Sequence, residues 1–430
     1  MNHRTRILAD RVIGVPLAFL ANGAARVLGA VLRRDHSVKS GNVKSIIVAK
    51  LIGMGSILQA TPLLRALKHR YPDAKVIFVT LRSNRELLGR IELVDEALTL
   101  DDRNVFAMAW TTFRAVLNMM GKRADLYFDL EVYSAFASLL ALSAVSRNRI
   151  GFYRHSATFK RGIYTHLVFF NTRMPIRNLY LQLGRVFGVP PDESELLAPI
   201  RIEPMERGKI PQVLSKAPGW VSDQPYIVVN PNASELLLER RWPVPHAISA
   251  ISDLVNSGYQ VALIGAPSER EFVTSLFDSL PEDVRTRVAN TAGQLTLGEL
   301  CALIDSASCV LTNDTGPMHI SIALGKATVC LFGPANPEHY GQKLPHVRIF
   351  YSPVFCSPCL YEADDPPCHG NNICMQRLDP GEVAKSVKQF VEWEKAGIRV
   401  ALSRRADDLP IFASGPEGEP LGVVVRAPSQ

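Results

Sequence analysis

The sequence predicts an α/β protein of two doubly wound, Rossmann-like domains facing a central cleft. Three observations carry this. Short β-rich apolar runs alternate with helical apolar stripes from about residue 45 onward, the signature of a parallel sheet covered on both faces. The alternation pauses over about 192–223, a stretch rich in Pro, Glu and Lys, and then restarts. A chain of 430 residues is also too long for one ordinary core. Its 47% hydrophobic and 21% charged content is that of a globular protein in water. The net charge of +7 is modest, and no nucleic-acid partner is expected.

In chain order, residues 1–41 form a basic segment. Residues 13–32 are apolar apart from Asn22 and Arg26, and are flanked by Arg4, Arg6, Arg11, Arg33 and Arg34. Leu17, Leu20, Ala24, Val27 and Val31 share one helical face, while Pro16 and several glycines dilute the hydrophobicity. A helix lying in a membrane interface is expected, its arginines on anionic headgroups; packing on the protein's own core is the alternative. No secretory cleavage pattern follows, and seven cysteines is an odd number, so a cytoplasmic, peripheral inner-membrane location is expected.

The first domain, 42–222, is expected to hold strands at 45–49, 75–80, 94–100 and 126–130, with helices at 57–70, 84–91 and 105–120 between them. The second, 223–395, has strands at 226–230, 260–264, 309–311 and 328–332. Its helices are expected at 246–255, 268–280, 297–305, 319–324 and 380–393. Residues 396–430 read as a loose tail.

Polar chemistry gathers at three strand ends of the second domain: Asn230 to Ser234 with Asn232, Gly265 to Glu269, and Asp314-Thr315-Gly316. Arg240 and Arg241 precede Trp242. A helix opening through Asp-Thr-Gly leaves backbone N–H groups for a phosphate or pyrophosphate, unless Thr315 is an ordinary N-cap and Pro317 a first-turn residue. A cation, a carboxylate and a helix start suit a nucleoside diphosphate. Arg240 and Arg241 on a solvated face, with Trp242 in the core, is the plain alternative.

These motifs resemble glycosyltransferase family 9, the ADP-heptose:lipopolysaccharide heptosyltransferases. The resemblance runs over about 43–391 through Lys50-Leu-Ile-Gly-Met-Gly-Ser56, Ala60-Thr61-Pro62, Tyr71-Pro72, Arg240-Arg-Trp-Pro243, Asn313-Asp-Thr-Gly-Pro-Met-His319 and Leu331-Phe-Gly-Pro334. It implies a GT-B architecture with the nucleotide-sugar donor, ADP-heptose, on the second domain and a glycolipid acceptor on the first. It implies Arg240 on donor phosphate, Thr315 and Gly316 on the pyrophosphate, and Asp314 near phosphate and sugar. Glu269, with Glu271 as fallback, would reach ribose. His319 would face the donor or pack its helix. Lys50, Gly53 and Gly55 mark the acceptor-side loop.

The family's first strand–helix turn usually carries Gly-Asp, the aspartate serving as general base; here the pair is Gly55-Ser56. A serine without a base behind it cannot take the acceptor proton near neutral pH, and Ser56 reads as the cap of a helix starting at Ile57. Glu131 is the expected replacement, on the same strand face as Asp129 and beside the Gly53–Ser56 loop. Its plain alternative is an ion pair with Lys50 or Arg82. No Asp-x-Asp pair stands at the donor-side turns, so metal-independent transfer with no cofactor is expected; inversion follows from the resemblance. Cys356, Cys359, Cys368 and Cys374 fit either a structural zinc or a loop of reduced thiols. A non-catalytic nucleotide-sugar or glycan-binding module is the second reading, motivated by Ser56. A dinucleotide oxidoreductase fails for want of a G-x-G-x-x-G after a strand.

Overall fold

The computed structural model describes residues 8–32, 36, 43–190, 196–233, 237–363, 365–395 and 424–425. The chain forms two compact units, Met1–Ala198 and Pro199–Gln430. The division falls earlier than the expected 222/223 because the helix Pro204–Leu214 belongs with the second unit. There it packs on the helix Leu297–Ser306, through Arg207 on Asp305 and Lys209 on Glu299 at 2.7 Å.

The first unit is a six-stranded, all-parallel sheet in the order β3-β2-β1-β4-β5-β6. Its strands are β1 (Ser45–Ala49), β2 (Lys75–Leu81), β3 (Glu96–Leu100), β4 (Leu126–Asp129), β5 (Asn148–Tyr153) and β6 (His166–Phe169). The chain lays β1 to β3 toward one edge, then returns to add β4 to β6 on the other side of β1. The order therefore reverses between β1 and β4, the crevice where such sheets take ligands.

Three helices matter below: α1 (Val15–Leu32), α2 (Val105–Lys122) and α3 (Ala135–Ser143). Asn104 caps α2 by accepting from Ala107 N at 2.8 Å, and Arg123 closes it in the left-handed region at φ 44°. Ala18 of α1, Ala115 and Met119 of α2 and Ala137 and Ala141 of α3 share one core cluster with Ile47, Val79 and Tyr127 of the sheet.

The second unit repeats the plan: a parallel sheet in the order β13-β12-β11-β10-β7-β8-β9. Its strands are β7 (Tyr226–Asn230), β8 (Gln260–Leu263), β9 (Val288–Asn290), β10 (Cys309–Asn313), β11 (Thr328–Phe332), β12 (Val347–Tyr351) and β13 (Val424–Val425). Here the order reverses between β7 and β10. Helices α4 (Val244–Asn256) and α6 (Pro380–Lys395) pack together over a core built on Ile227, Leu263 and Trp242, while α5 (Gly316–Ala323) follows β10.

The N-terminal segment is anchored on its own unit. Both Asp10 carboxylate oxygens accept from the first amides of α3, Ala135 N at 2.9 Å and Phe136 N at 2.7 Å, and Asn22 donates to Phe159 O at 2.9 Å. Gly162 lets Asn22 approach this closely, since a Cβ there would collide with its side chain. No described helix is long and apolar enough to cross a membrane. The expected tail lies outside the described residues apart from β13, as do Arg4, Arg6, Arg33, Arg34 and Ser234.

Candidate functional site

In the second unit the polar strand ends converge at the β7/β10 reversal. Asn230, closing β7, donates to Thr315 Oγ1 at 2.8 Å and Thr312 Oγ1 at 3.2 Å. That contact aims the Thr315 hydroxyl away from the helix. Thr315 occupies the N-cap position with extended backbone, yet its side chain makes no capping bond to the opening amides of α5. The plain capping reading of Thr315 fails for this reason.

Arg240 is buried, not solvated. It donates to Asp314 O at 2.7 Å and lies 3.6 Å from the Asp314 carboxylate. Burial pushes the Asp314 carboxyl up, with Arg240 pulling the other way. Burial first, then the Arg240 charge, drives His319 down to about 4, so its ring is neutral near pH 7. Trp242 packs in the core as expected and donates to Leu378 O at 3.2 Å. Arg241 donates from Nε to Asn232 Oδ1 at 2.5 Å and lies 4.1 Å over the Phe272 ring. Burial lowers its pKa, and the Glu269 charge opposes that. Glu269 itself accepts from Ala266 N at 2.7 Å, closing the turn after β8, and Glu271 lines an exposed groove with Thr274 and Asp278.

Three buried polar atoms around this cluster have no partner among the described residues: Asn232 Nδ2, Asn313 Oδ1 and His319 Nδ1. An orphaned buried polar atom costs about 1–3 kcal/mol, so three in one cluster mark a place that something polar fills. The site thus combines a buried cation, an uncapped helix start and unmet donors and acceptors, which is suited to a diphosphate.

In the first unit, Glu131 stands just past β4, at the β1/β4 reversal. Its Oε1 accepts from Leu51 N at 2.8 Å and Ile52 N at 3.2 Å, and its Oε2 pairs with Lys50 Nζ at 2.9 Å. Burial raises its pKa, but Lys50 and the two amides outweigh that and hold the carboxyl below the usual glutamate range. Glu131 therefore lies beside the glycine loop, as expected, and also takes its expected alternative partner Lys50; Arg82 pairs with Asp101 instead.

Asp129 sits deeper, fully buried with Lys160 at 3.2 Å and the Tyr164 hydroxyl, and burial raises its pKa. Lys160 also donates to Glu131 O at 2.5 Å. The Ser56 capping expectation is corrected. The helix starts at Met54 with Gly53 as N-cap, so Gly55 and Ser56 lie inside its first turn and Ser56 caps nothing. Gly53 has φ 94°, a conformation glycine adopts without strain.

Sequence reasoning assigned no role to Asn230, Asn313 or Asn372. Asn372 donates to Glu239 O at 2.9 Å and Arg241 O at 2.7 Å, so the cysteine-rich loop braces the turn that presents Arg240 and Arg241. Only the asparagines at strand ends beside Asp-Thr-Gly could have signalled the first two. All seven cysteines are thiols, and burial pushes Cys374 up to about 12. Among the described residues no group of three or more His, Cys, Asp or Glu is placed to hold a metal ion, so this geometry lends the zinc reading no support.

The model of glycosyltransferase family 9 (heptosyltransferase) matches residues 118–368, more than half of the chain. The chain is 26% identical to lipopolysaccharide heptosyltransferase 2 of Salmonella typhimurium, over 66% of this chain and 81% of that protein. It is 31% identical to lipooligosaccharide heptosyltransferase 2 of Haemophilus influenzae over 34% of this chain, spanning 43% of that relative. The solved structure of Escherichia coli ADP-heptose lps heptosyltransferase II superimposes with a TM-score of 0.67 at 21% identity, covering 82% of this chain and 99% of that one. That likeness, with the two parallel sheets, establishes the GT-B-type fold.

Proposed function

The chain belongs to glycosyltransferase family 9, the heptosyltransferase family, and from that premise we propose that it transfers heptose from ADP-heptose to a lipopolysaccharide-core glycolipid. Transfer is inverting and needs no metal ion. The observation that carries this is the buried Arg240–Asp314 pair at the uncapped start of α5, ringed by three unmet polar atoms. The names of the relatives support the donor and the acceptor class.

The second unit takes the donor. Arg240 and the α5 amides, with Gly316 and the Thr315 hydroxyl, meet the pyrophosphate and carry the charge that grows on ADP as it leaves. Asp314 holds Arg240 in place. Neutral His319 and Asn232 supply hydrogen bonds, and Glu269 is the ribose-side carboxylate. The first unit takes the acceptor. Glu131 receives the proton of the attacking hydroxyl as that oxygen bonds to the anomeric carbon and the carbon–diphosphate bond breaks. The loop of Lys50, Gly53 and Gly55 borders it, and Ser56 has no part in proton transfer. The protein works at the inner face of the cytoplasmic membrane.

One observation favours a second role for Glu131: both its oxygens are already engaged by Lys50, Leu51 and Ile52. Transfer from ADP-heptose to a truncated lipopolysaccharide acceptor separates the two. As a base, Glu131→Gln loses at least about 100-fold in kcat with donor affinity unchanged. As a loop brace, the amide still accepts from Leu51 and the loss stays under about tenfold. No ADP-heptose binding by the wild type overturns the donor assignment. Donor binding without transfer to any core acceptor favours the binding-module reading.

A further inference from the structure

The first unit carries an apolar surface that sugar transfer does not explain. On α2, Phe106, Trp110, Phe113, Leu117 and Met120 are 88%, 61%, 53%, 53% and 44% exposed. At about 100° per residue they fall in one stripe about 80° wide, diametrically opposite the buried Ala115 and Met119. Trp110 and Phe113 lie side by side on that outer face with centroids 6.1 Å apart and ring planes tilted by 31°. A water-facing helix has no need of such a stripe, and monomers rarely expose large continuous apolar patches.

The stripe has a companion. The crossovers β3→β4 and β4→β5 run in the same direction across the sheet, and right-handed connections put α2 and α3 on the same face. The N-terminal helix packs on α3, and all three share one core cluster. Outward from α1, Leu17, Leu20, Val27 and Val31 are exposed as well.

The charges choose the occupant. Helix α2 holds no acidic residue, and the exposed Arg114 flanks its stripe. Residues 1–34 contain six arginines and a single acid, Asp10, whose oxygens are taken by the amides of α3. Aromatic and aliphatic side chains with arginine beside them, on helices α1 and α2 that themselves carry no carboxylate, match the interface of an anionic phospholipid bilayer. We infer that α2, together with α1, docks this unit in the plane of an anionic membrane, with Phe106, Trp110 and Phe113 entering the acyl boundary. This deepens the membrane-side acceptor reading above but rests on α2, which a sugar-free assay tests by itself.

The experiment is flotation of the full chain with vesicles of phosphatidylethanolamine and phosphatidylglycerol, against phosphatidylcholine alone. Wild type is expected to float with the anionic vesicles, and Phe106→Ser/Trp110→Ser/Phe113→Ser to bind about tenfold or more weakly. Arg114→Glu loses binding to the anionic vesicles only. Unchanged far-ultraviolet dichroism and an unchanged urea unfolding profile show that the triple variant is folded. Wild type that ignores anionic vesicles overturns the proposal, as does a triple variant that floats like wild type. A wild-type dimer that the triple variant converts to monomer, with no vesicle binding, overturns it in favour of a second copy. Failure of ADP-heptose binding sinks the proposed transfer while leaving the vesicle result standing.

Discussion

Lys160 and Asp129 are both fully buried, 3.2 Å apart, and Lys160 also holds the Glu131 carbonyl. Removing one member of such a pair strands the other's charge, which costs about 3–5 kcal/mol. Lys160→Met is therefore expected to lower stability by about that amount in denaturant unfolding, and a loss within the error of the measurement would mean the pair is not the anchor of this strand end. His319 gives a pH signature. Its folded pKa of about 4 lies below the ordinary 6.5, so between these values the unfolded chain binds the extra proton. The contribution is intact above pH 6.5 and is lost as pH falls toward 4, amounting to about 2 kcal/mol by pH 5. His319→Asn should lose less stability than wild type between pH 7 and 5, as read by urea midpoints at each pH; parallel losses would contradict this. At this scale the sequence announced residue types and missed their partners. Glu131 beside the glycine loop followed from strand alternation, whereas its two backbone amides depend on a loop path that no spacing encodes. Ser56 misled because a glycine at positive φ starts the helix one turn before the capping residue expected from composition.

At the scale of elements, the start of α5 and the cysteine-rich loop form one device. Asn230 draws the Thr315 hydroxyl off the helix, and Asn372 ties down the turn bearing Arg240 and Arg241 from 131 and 133 residues away. Two lost side-chain bonds are worth about 1–3 kcal/mol together. Asn372→Ala should therefore weaken ADP binding about tenfold by titration calorimetry while the fold persists, although no proposed ligand contact is removed. Unaltered affinity would show that the turn holds itself. The strands missed in the sequence have a common physical cause. β5 carries Asn148, Arg149 and Gly151, β6 is only four residues long, and β12 holds Arg348 at its second position. Arg348 is tolerated because Ser386 and Gln389 of α6 receive its guanidinium at 3.4 and 3.1 Å, a long-range match that local patterning cannot anticipate. The apolar runs β1, β2, β7, β10 and β11 were legible because strands buried on both faces need no polar alternation.

At the scale of the molecule, the pause after residue 191 marked two sheets, and the repeated strand order places both candidate sites at an order reversal. Composition put the boundary too late, since Pro and charge suggested a linker where the helix Pro204–Leu214 in fact docks through Arg207 and Lys209. This partition has a consequence for binding. Arg240, Asp314 and Thr315 are tied to one another and to Asn230 within the second unit, which also has a core of its own built around Ile227, Leu263 and Trp242. Residues 199–430 expressed alone should therefore fold and bind ADP within about threefold of the full chain, since the proposed phosphate cradle is built from elements of that unit. Catalysis should vanish, because Glu131, the proposed base, lies in the other unit. Calorimetric titration of both proteins with ADP decides the matter: a loss of a hundredfold or more would mean that the first unit itself shapes the nucleotide site, and the division of labour argued from the two sheets would have to be abandoned.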